Sequence, residues 1–440
     1  MTTSNPLLDL VRDQKNGKAT GIASLCTANE WVIRAAMDHF KTTDLPLLIE
    51  ATANQVNQYG GYTGMKPADF RDFVLKLAGE AGFPAHRVIL GGDHLGPLTW
   101  KSKPATVAMK ESHTLIRDFV LAGFTKIHLD TSMRVGDDDS HAALDTSVIA
   151  RRGAELAVTA EKAYAELLAR QPGAMAPVYI VGSEVPIPGG AQSEEEGLHV
   201  TTVEDFLATV ETFRAAFAAQ GLDSAWSRVI AVVVQPGVEF GDENIDAYDR
   251  QAAKSLCAAG KALPNLVFEG HSTDYQTPQA LKMMVEDGIA ILKVGPALTF
   301  ALREALFSLN LIEKELFRYA PEVRQSNFID VLDEAMLRRP GNWKSHYHGS
   351  PAKVRLARKF SFSDRARYDL PDPEVQESLG LLLNNLGSTE IPVTLISQYM
   401  PIQYRHIQAG KIKNKAEDLL KNRVMDCIND YLFATVPQGK

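Results

Sequence analysis

The chain has 440 residues, 45% of them hydrophobic, and a formal net charge of −8. That length suits two or three domains, or one large barrel with additions. The acidic balance argues against nucleic acid or an anionic membrane as the main partner. Cys26, Cys257 and Cys427 lie too far apart for a disulfide framework or a zinc ribbon, and neither a leader nor a membrane-length apolar run is evident. A cytoplasmic location is therefore expected.

Short apolar runs alternate with helical stretches along the first three quarters of the chain. Ile22–Cys26 reads as a strand and Glu30–Phe40 as a helix. Pro46–Glu50 is the second strand, leading into an amide- and glycine-rich loop through Gly64; Pro67 then opens a helix to Ala81. Val88–Leu90 is the third strand, where Gly91 and Gly92 would let the backbone turn before Asp93 and His94. A helix over Thr106–Ala122 ends at Gly123. Lys126–Asp130 is the fourth strand, with an acidic loop over Val135–Asp145 and a long helix over Thr146–Arg170. Pro177–Gly182 is the fifth strand, followed by a loop over Pro186–Gly197 and a helix over Val203–Ala219. Val229–Val234, Leu266–Phe268 and Ile289–Lys293 complete eight strands. Their helices are expected at Tyr248–Ala259, Thr277–Val285 and Ala297–Phe317.

The strands are apolar throughout, as parallel strands covered by helices must be. The α/β class expected is a (β/α)₈ TIM barrel over residues 1–319. A doubly wound sheet is the alternative, weakened by the lack of a GxGxxG turn after the first strand. Residues 320–440 follow a different pattern and read as a helical C-terminal extension packed on the barrel, or as an assembly surface for a homo-oligomer. That tail carries Trp343, His346, Tyr347, His348 and the run Asp364-Arg-Ala-Arg-Tyr368, with helices over Val375–Leu386 and Ala416–Tyr431.

Barrel strands converge on one mouth at their C-terminal ends, where active sites sit. Those ends carry Glu50, Asp93, His94, Asp130, Glu184, Gln235, Glu269 and His271. His94 and His271 are expected metal ligands, with Glu184 supplying an oxygen and Gln235 a weaker contact; zinc is the divalent metal that such a set suits. Asp93 is the candidate base, with Glu184 as a second catalytic carboxylate. The alternative for Asp93 is a carboxylate that orients a histidine. Glu50, Asn54, Gln55, Tyr62, Thr63 and Asp130 are expected to meet a hydroxylated substrate, although the loop residues could equally bond one another. Ser272 and the backbone near Gly295 follow strands seven and eight, where barrels commonly hold phosphate, and Lys293 is expected to point inward. His113, His128, His141, His199, His346, His348 and His406 receive no ligand role. There is no GxxxxGK[ST] loop and no GxSxG elbow.

Eight stretches carry a resemblance. They are Glu50-Ala-Thr-Ala-Asn-Gln-Val-Asn-Gln, Gly60-Gly-Tyr-Thr-Gly-Met, Gly91-Gly-Asp-His-Leu-Gly-Pro, Lys126-Ile-His-Leu-Asp, Gly182-Ser-Glu-Val-Pro, Val234-Gln-Pro-Gly-Val-Glu-Phe, Gly270-His-Ser-Thr-Asp-Tyr-Gln and Leu292-Lys-Val-Gly-Pro-Ala-Leu-Thr-Phe. With Ile396-Ser-Gln-Tyr-Met-Pro401, they resemble the GatZ/KbaZ family. That family is the non-catalytic subunit of class II D-tagatose-1,6-bisphosphate aldolase, and some members carry the label tagatose-6-phosphate kinase. The resemblance implies a class II aldolase-like barrel and a catalytic aldolase subunit as partner. It also implies a place in galactitol, tagatose or N-acetylgalactosamine breakdown. It matches Asp93 and His94 to the family's Asp-His pair and sets His271 near the strand-seven histidine. Catalytic class II aldolases place a ligand histidine after strand six, where this chain has Gln235. The same resemblance leaves open a metal-dependent epimerase or aldolase acting on a ketose or ketose phosphate.

Overall fold

The computed structural model describes residues 4–141, 143–186 and 198–437. Eight parallel strands close into a barrel: β1 (Ile22–Cys26), β2 (Leu47–Thr52), β3 (Val88–Leu95), β4 (Lys126–Leu129), β5 (Val178–Val181), β6 (Val229–Val234), β7 (Val267–Gly270) and β8 (Ile289–Val294). Neighbours run 1-2-3-4-5-6-7-8, and β8 returns to β1 with Ser24 opposite Lys293. Nearly every strand residue is buried, because helices cover the outside while side chains fill the inside.

β3 is longer than the sequence suggests. Gly91 and Gly92 stay in the strand, and the reason is room rather than turning. A Cβ on Gly91 would lie 2.5 Å from Glu50 Oε1, and one on Gly92 would lie 2.4 Å from Leu95 Cδ1. The turn comes at His94, whose φ is +48°. Such backbone is costly for a side chain larger than glycine's and persists where its surroundings enforce it.

The lower half of the barrel interior is apolar, with Ile22, Leu48, Ile89, Val178, Ile180, Ile230, Val267 and Ile291 in one cluster. A helix over Pro6–Lys15, not anticipated from the sequence, stops this end with Leu7 and Val11. Asn5 caps it and also donates to the carbonyl of Thr125 at 2.9 Å.

The helices expected over Glu30–Phe40, Pro67–Ala81, Thr146–Arg170 and Val203–Ala219 form with those limits. The helix expected over Tyr248–Ala259 instead spans Lys254–Ala262. Tyr248 is held out of it, its amide donating to Gln276 Oε1 at 3.0 Å and its hydroxyl to Asp287 at 3.0 Å. A small antiparallel hairpin, Glu239–Phe240 with Ile245–Asp246, follows β6. Most of the loop expected over Pro186–Gly197 lies outside the described residues.

After the helix Pro296–Leu316 the chain builds further helices, ending with Ala416–Thr435. This last helix packs between Glu30–Phe40 and Pro278–Glu286 and against β1, filling the eighth place in the ring. Gly21 donates its amide to the carbonyl of Thr435 at 2.9 Å, and the Tyr431 hydroxyl donates to the carbonyl of Thr273 at 2.9 Å. Among the described residues no helix is long and apolar enough to cross a membrane.

At Gly96, which follows β3, an added Cβ would sit 1.7 Å from the carbonyl oxygen of Asp130. No flexible side chain is available to yield. Gly96→Ala is expected to cost more than about 4 kcal/mol, seen as a lowered urea midpoint or loss of soluble protein. An unchanged midpoint would contradict the packing described.

Candidate active site

The upper half of the barrel interior is charged. Lys126, in the middle of the fold and fully buried, contacts Glu50 Oε1 at 2.5 Å and Glu269 Oε2 at 2.7 Å. Lys293 pairs with the other Glu50 oxygen and with Asp93 Oδ1 at 2.6 Å, and approaches Glu269 Oε1 at 3.8 Å. Strand alternation produces this layer: Lys126 and His128 share the inward face of β4, and Asp130 follows two residues on.

Three imidazoles stand above the ammonium groups, at centroid separations of 5.0 Å for His94 and His271, 5.2 Å for His94 and His128, and 5.2 Å for His128 and His271. Each is tied to a carboxylate. His94 Nδ1 lies 2.7 Å from Asp130, His271 Nε2 lies 2.9 Å from Glu269, and His128 Nδ1 lies 3.0 Å from Asp93. His128 Nε2 is buried without a partner. The Cys26 thiol reaches Asp93 at 3.4 Å, and burial keeps it protonated.

Electrostatics bind this cluster. Burial alone would raise the Glu50, Asp93 and Glu269 carboxyls. The Lys126 and Lys293 ammoniums outweigh it at Glu50 and Glu269; at Asp93, His94 joins Lys293 in doing so. All three end below the ordinary carboxylate range. Both lysines are likewise held above their usual value, despite burial, by the carboxylates around them. Asp130 is pulled down to about 2, His94 overcoming its burial. His271 is pushed down to about 3, chiefly by burial, and stays neutral. His94 goes the other way, since Asp93 and Asp130 outweigh its burial.

Four carboxylates here face two ammoniums. Even with His94 drawn toward its charged form, negative charge is left in excess in a buried space, which is costly unless matched. A divalent cation would match that excess. One ligand atom each from Asp93, His128, Glu269 and His271 lie within 4.8 Å of one another. The donor set and the orphaned His128 nitrogen therefore fit a divalent metal, with carboxylates orienting its imidazoles.

The cluster opens into a cavity of about 80 Å³ lined by Asp93, His94, His271 and Lys293, with Asn54, Gln55, Tyr62 and Ser272 on the wall. Of the expected residues, Glu50, Asp93, His94, Asp130, His271 and Lys293 thus come together. Gln55 and Thr63 are partly spent on the loop itself: Gln55 Oε1 accepts the Thr52 amide at 2.8 Å, and the Thr63 hydroxyl donates to the Gln55 carbonyl at 2.7 Å. Asn54 Oδ1 accepts from Thr99 at 3.1 Å. Burial pushes the Tyr62 phenol up to about 12.

Two expected ligands are not brought in. Glu184 is exposed and accepts the Thr201 hydroxyl. Gln235 caps its own turn, its Oε1 accepting the amides of Gly237 at 2.9 Å and Val238 at 3.0 Å. Lys126 and His128 were passed over, although alternate positions on one strand were a readable signal.

The sequence profile described as D-tagatose-1,6-bisphosphate aldolase subunit GatZ/KbaZ-like matches residues 7–436. The chain belongs to this GatZ/KbaZ-like family. It is 48% identical to the D-tagatose-1,6-bisphosphate aldolase subunit GatZ of Klebsiella pneumoniae over 425 residues, covering 97% of this chain and 98% of that one. It also resembles the crystal structure of a probable tagatose 6 phosphate kinase from Sinorhizobium meliloti 1021. That likeness has a TM-score of 0.85 and 45% identity, and covers 94% of this chain and all of the other. The GatZ/KbaZ-like motifs, from Glu50 through Lys293, are thus the segments that meet at the barrel mouth.

Lys126→Met would leave Glu50 and Glu269 facing each other with one cation fewer. A loss of about 3 kcal/mol or more is expected in denaturant unfolding, partly restored when Glu269→Gln is added. Strictly additive losses would contradict the coupling.

Proposed function

We propose that this chain is the supporting subunit of a tagatose-1,6-bisphosphate aldolase in the cytoplasm, holding a separate catalytic chain in a stable, active assembly. The family and the 48% identical GatZ subunit support this reading. The observation that carries it is the end of β6. A catalytic class II chain presents a ligand imidazole there, and this chain presents Gln235, bound into its own turn. Co-expression with the catalytic aldolase chain from the same genome is expected to yield a joint complex and to prolong that chain's activity. Independent elution with unchanged activity and lifetime would overturn the proposal.

A second reading is favoured by the buried, acid-rich cluster beneath an open cavity: turnover of a ketose or ketose phosphate as an epimerase or aldolase. His94, His128 and His271, with Asp93 or Glu269, would hold zinc, which when bound polarises a carbonyl or hydroxyl oxygen. Asp93 then holds or takes a proton at the adjacent carbon or hydroxyl, and Lys293 keeps that carboxylate ionised until it does. Asn54, Gln55 and Tyr62 orient the hydroxyl groups. The kinase label finds no support in a phosphate-cradling glycine loop. Metal analysis of the purified protein is expected to give about one zinc per chain. His128→Ala and His271→Ala are each expected to lose it, along with turnover in a ketose screen. A metal-free wild-type protein would remove this reading.

A further inference from the structure

The place where a barrel commonly receives phosphate is already taken. Asp274 is buried, and its Oδ1 accepts the amides of Gly295 at 3.0 Å and Ala297 at 2.8 Å, at the start of the helix Pro296–Leu316. The Thr273 hydroxyl is likewise spent on the carbonyl of Lys293 at 2.6 Å. An anionic ligand at this mouth needs positive charge from elsewhere.

The C-terminal extension supplies it. Residues 361–370 form a strap across the mouth, with one helical turn at Arg365–Tyr368. The strap is fastened on three sides. Its Asp364 pairs with Arg303 at 2.8 Å and accepts from Thr299 at 2.6 Å. Its Phe362 stacks with Tyr275 at 4.5 Å and Phe300 at 5.4 Å. The Phe362 amide donates to Asp242 at 3.0 Å, beside the hairpin after β6.

From this strap Arg367 and Tyr368 enter the cavity wall beside Tyr62 and Ser272. The two guanidinium carbons of Arg367 and Arg365 lie 4.5 and 5.5 Å from the Tyr368 ring centroid. Among the described residues neither arginine pairs with a carboxylate. Arg367 donates to the carbonyls of Ser363 and Asp364 and to the Tyr368 hydroxyl. Arg365 is 6% exposed, meets His346 through its Nη2 at 2.9 Å, and keeps a buried Nε without a partner. The positive potential shows in its neighbours. Burial raises the Tyr368 phenol, yet Arg367 and Arg365 bring it below its ordinary value. His346 is pushed down to about 4 by burial and then by the same arginines. A buried and a half-buried guanidinium, neither ion-paired with a carboxylate among the described residues, form an incomplete site, since such charges are retained where an anion completes them.

We propose that Arg367, backed by Arg365, binds the phosphate ester of a sugar ligand lying in the barrel mouth, with the reacting carbons directed down toward Asp93 and the three imidazoles. This deepens the second reading above and rests on it. It gives the C-terminal strap a recognition role and makes the chain selective for phosphorylated over free sugars.

Isothermal titration of the full-length protein with tagatose 6-phosphate, tagatose and inorganic phosphate tests it. The wild type is expected to bind the ester at least about tenfold more tightly than the free sugar, as charge-assisted bonds to a guanidinium imply. Arg367→Met, which keeps the stem on Tyr368, is expected to bring affinity for the ester down to that for the free sugar; Arg367→Gln serves if the first variant misfolds. Arg365→Met is expected to reduce the preference. Undiminished preference in a folded Arg367 variant overturns this inference alone. Failure of the wild type to bind either sugar overturns it together with the reading of the mouth as a ketose site.

Discussion

Two ammonium groups threaded among three carboxylates at the barrel's centre are the constraint on which the rest depends. Charges so deep are tolerable only when each has its counterpart, because removing one leaves another uncompensated in a medium that cannot solvate it. That requirement reaches into the backbone. Gly91 must lack a side chain because Glu50 lies against it, and β3 therefore continues straight where its glycines suggest a bend. It also reaches upward, since the carboxylates that face the lysines below orient histidines above.

The site is consequently a two-storey arrangement. The lower storey, Lys126 with Glu50 and Glu269, is structural in its contacts and sealed from solvent. The upper storey is His94, His128 and His271 with Asp93 and Asp130, of which Asp93, His94 and His271 line the cavity. Lys293 and Asp93 join the two. The β6 end carries Gln235 bound into its own turn, while the charged scaffold of the mouth is complete around it. A stabilising role and a ligand-binding role in one chain are compatible on those terms.

Much of this was legible in the sequence. Uniformly apolar runs spaced by amphipathic helices indicate parallel strands covered on both faces, and eight such units without a GxGxxG turn favour the closed barrel over a doubly wound sheet. Scanning strand ends found six of the clustered groups. It missed Lys126 and His128 because they sit within β4, where inward alternation rather than terminal position selects them. It wrongly drew in Glu184 and Gln235 because terminal position says nothing about where a side chain turns. Gln235 had backbone amides two and three residues ahead, and Glu184 had the Thr201 hydroxyl. The helix Pro6–Lys15 had readable signals in Asn5 and Pro6, but its few apolar residues hid its role as a stopper. Arg365 and Arg367 stood out as a basic run, yet only the folded strap brings Arg367 to the mouth.

The final helix, Ala416–Thr435, lies beside the first strand, where the carbonyl of Thr435 accepts the Gly21 amide while the Tyr431 hydroxyl reaches the carbonyl of Thr273. A contact between segments so far apart along the chain carries a large loop-closure cost, so the covering of the first strand by this helix is expected to lag behind the local strand-helix units as the protein folds.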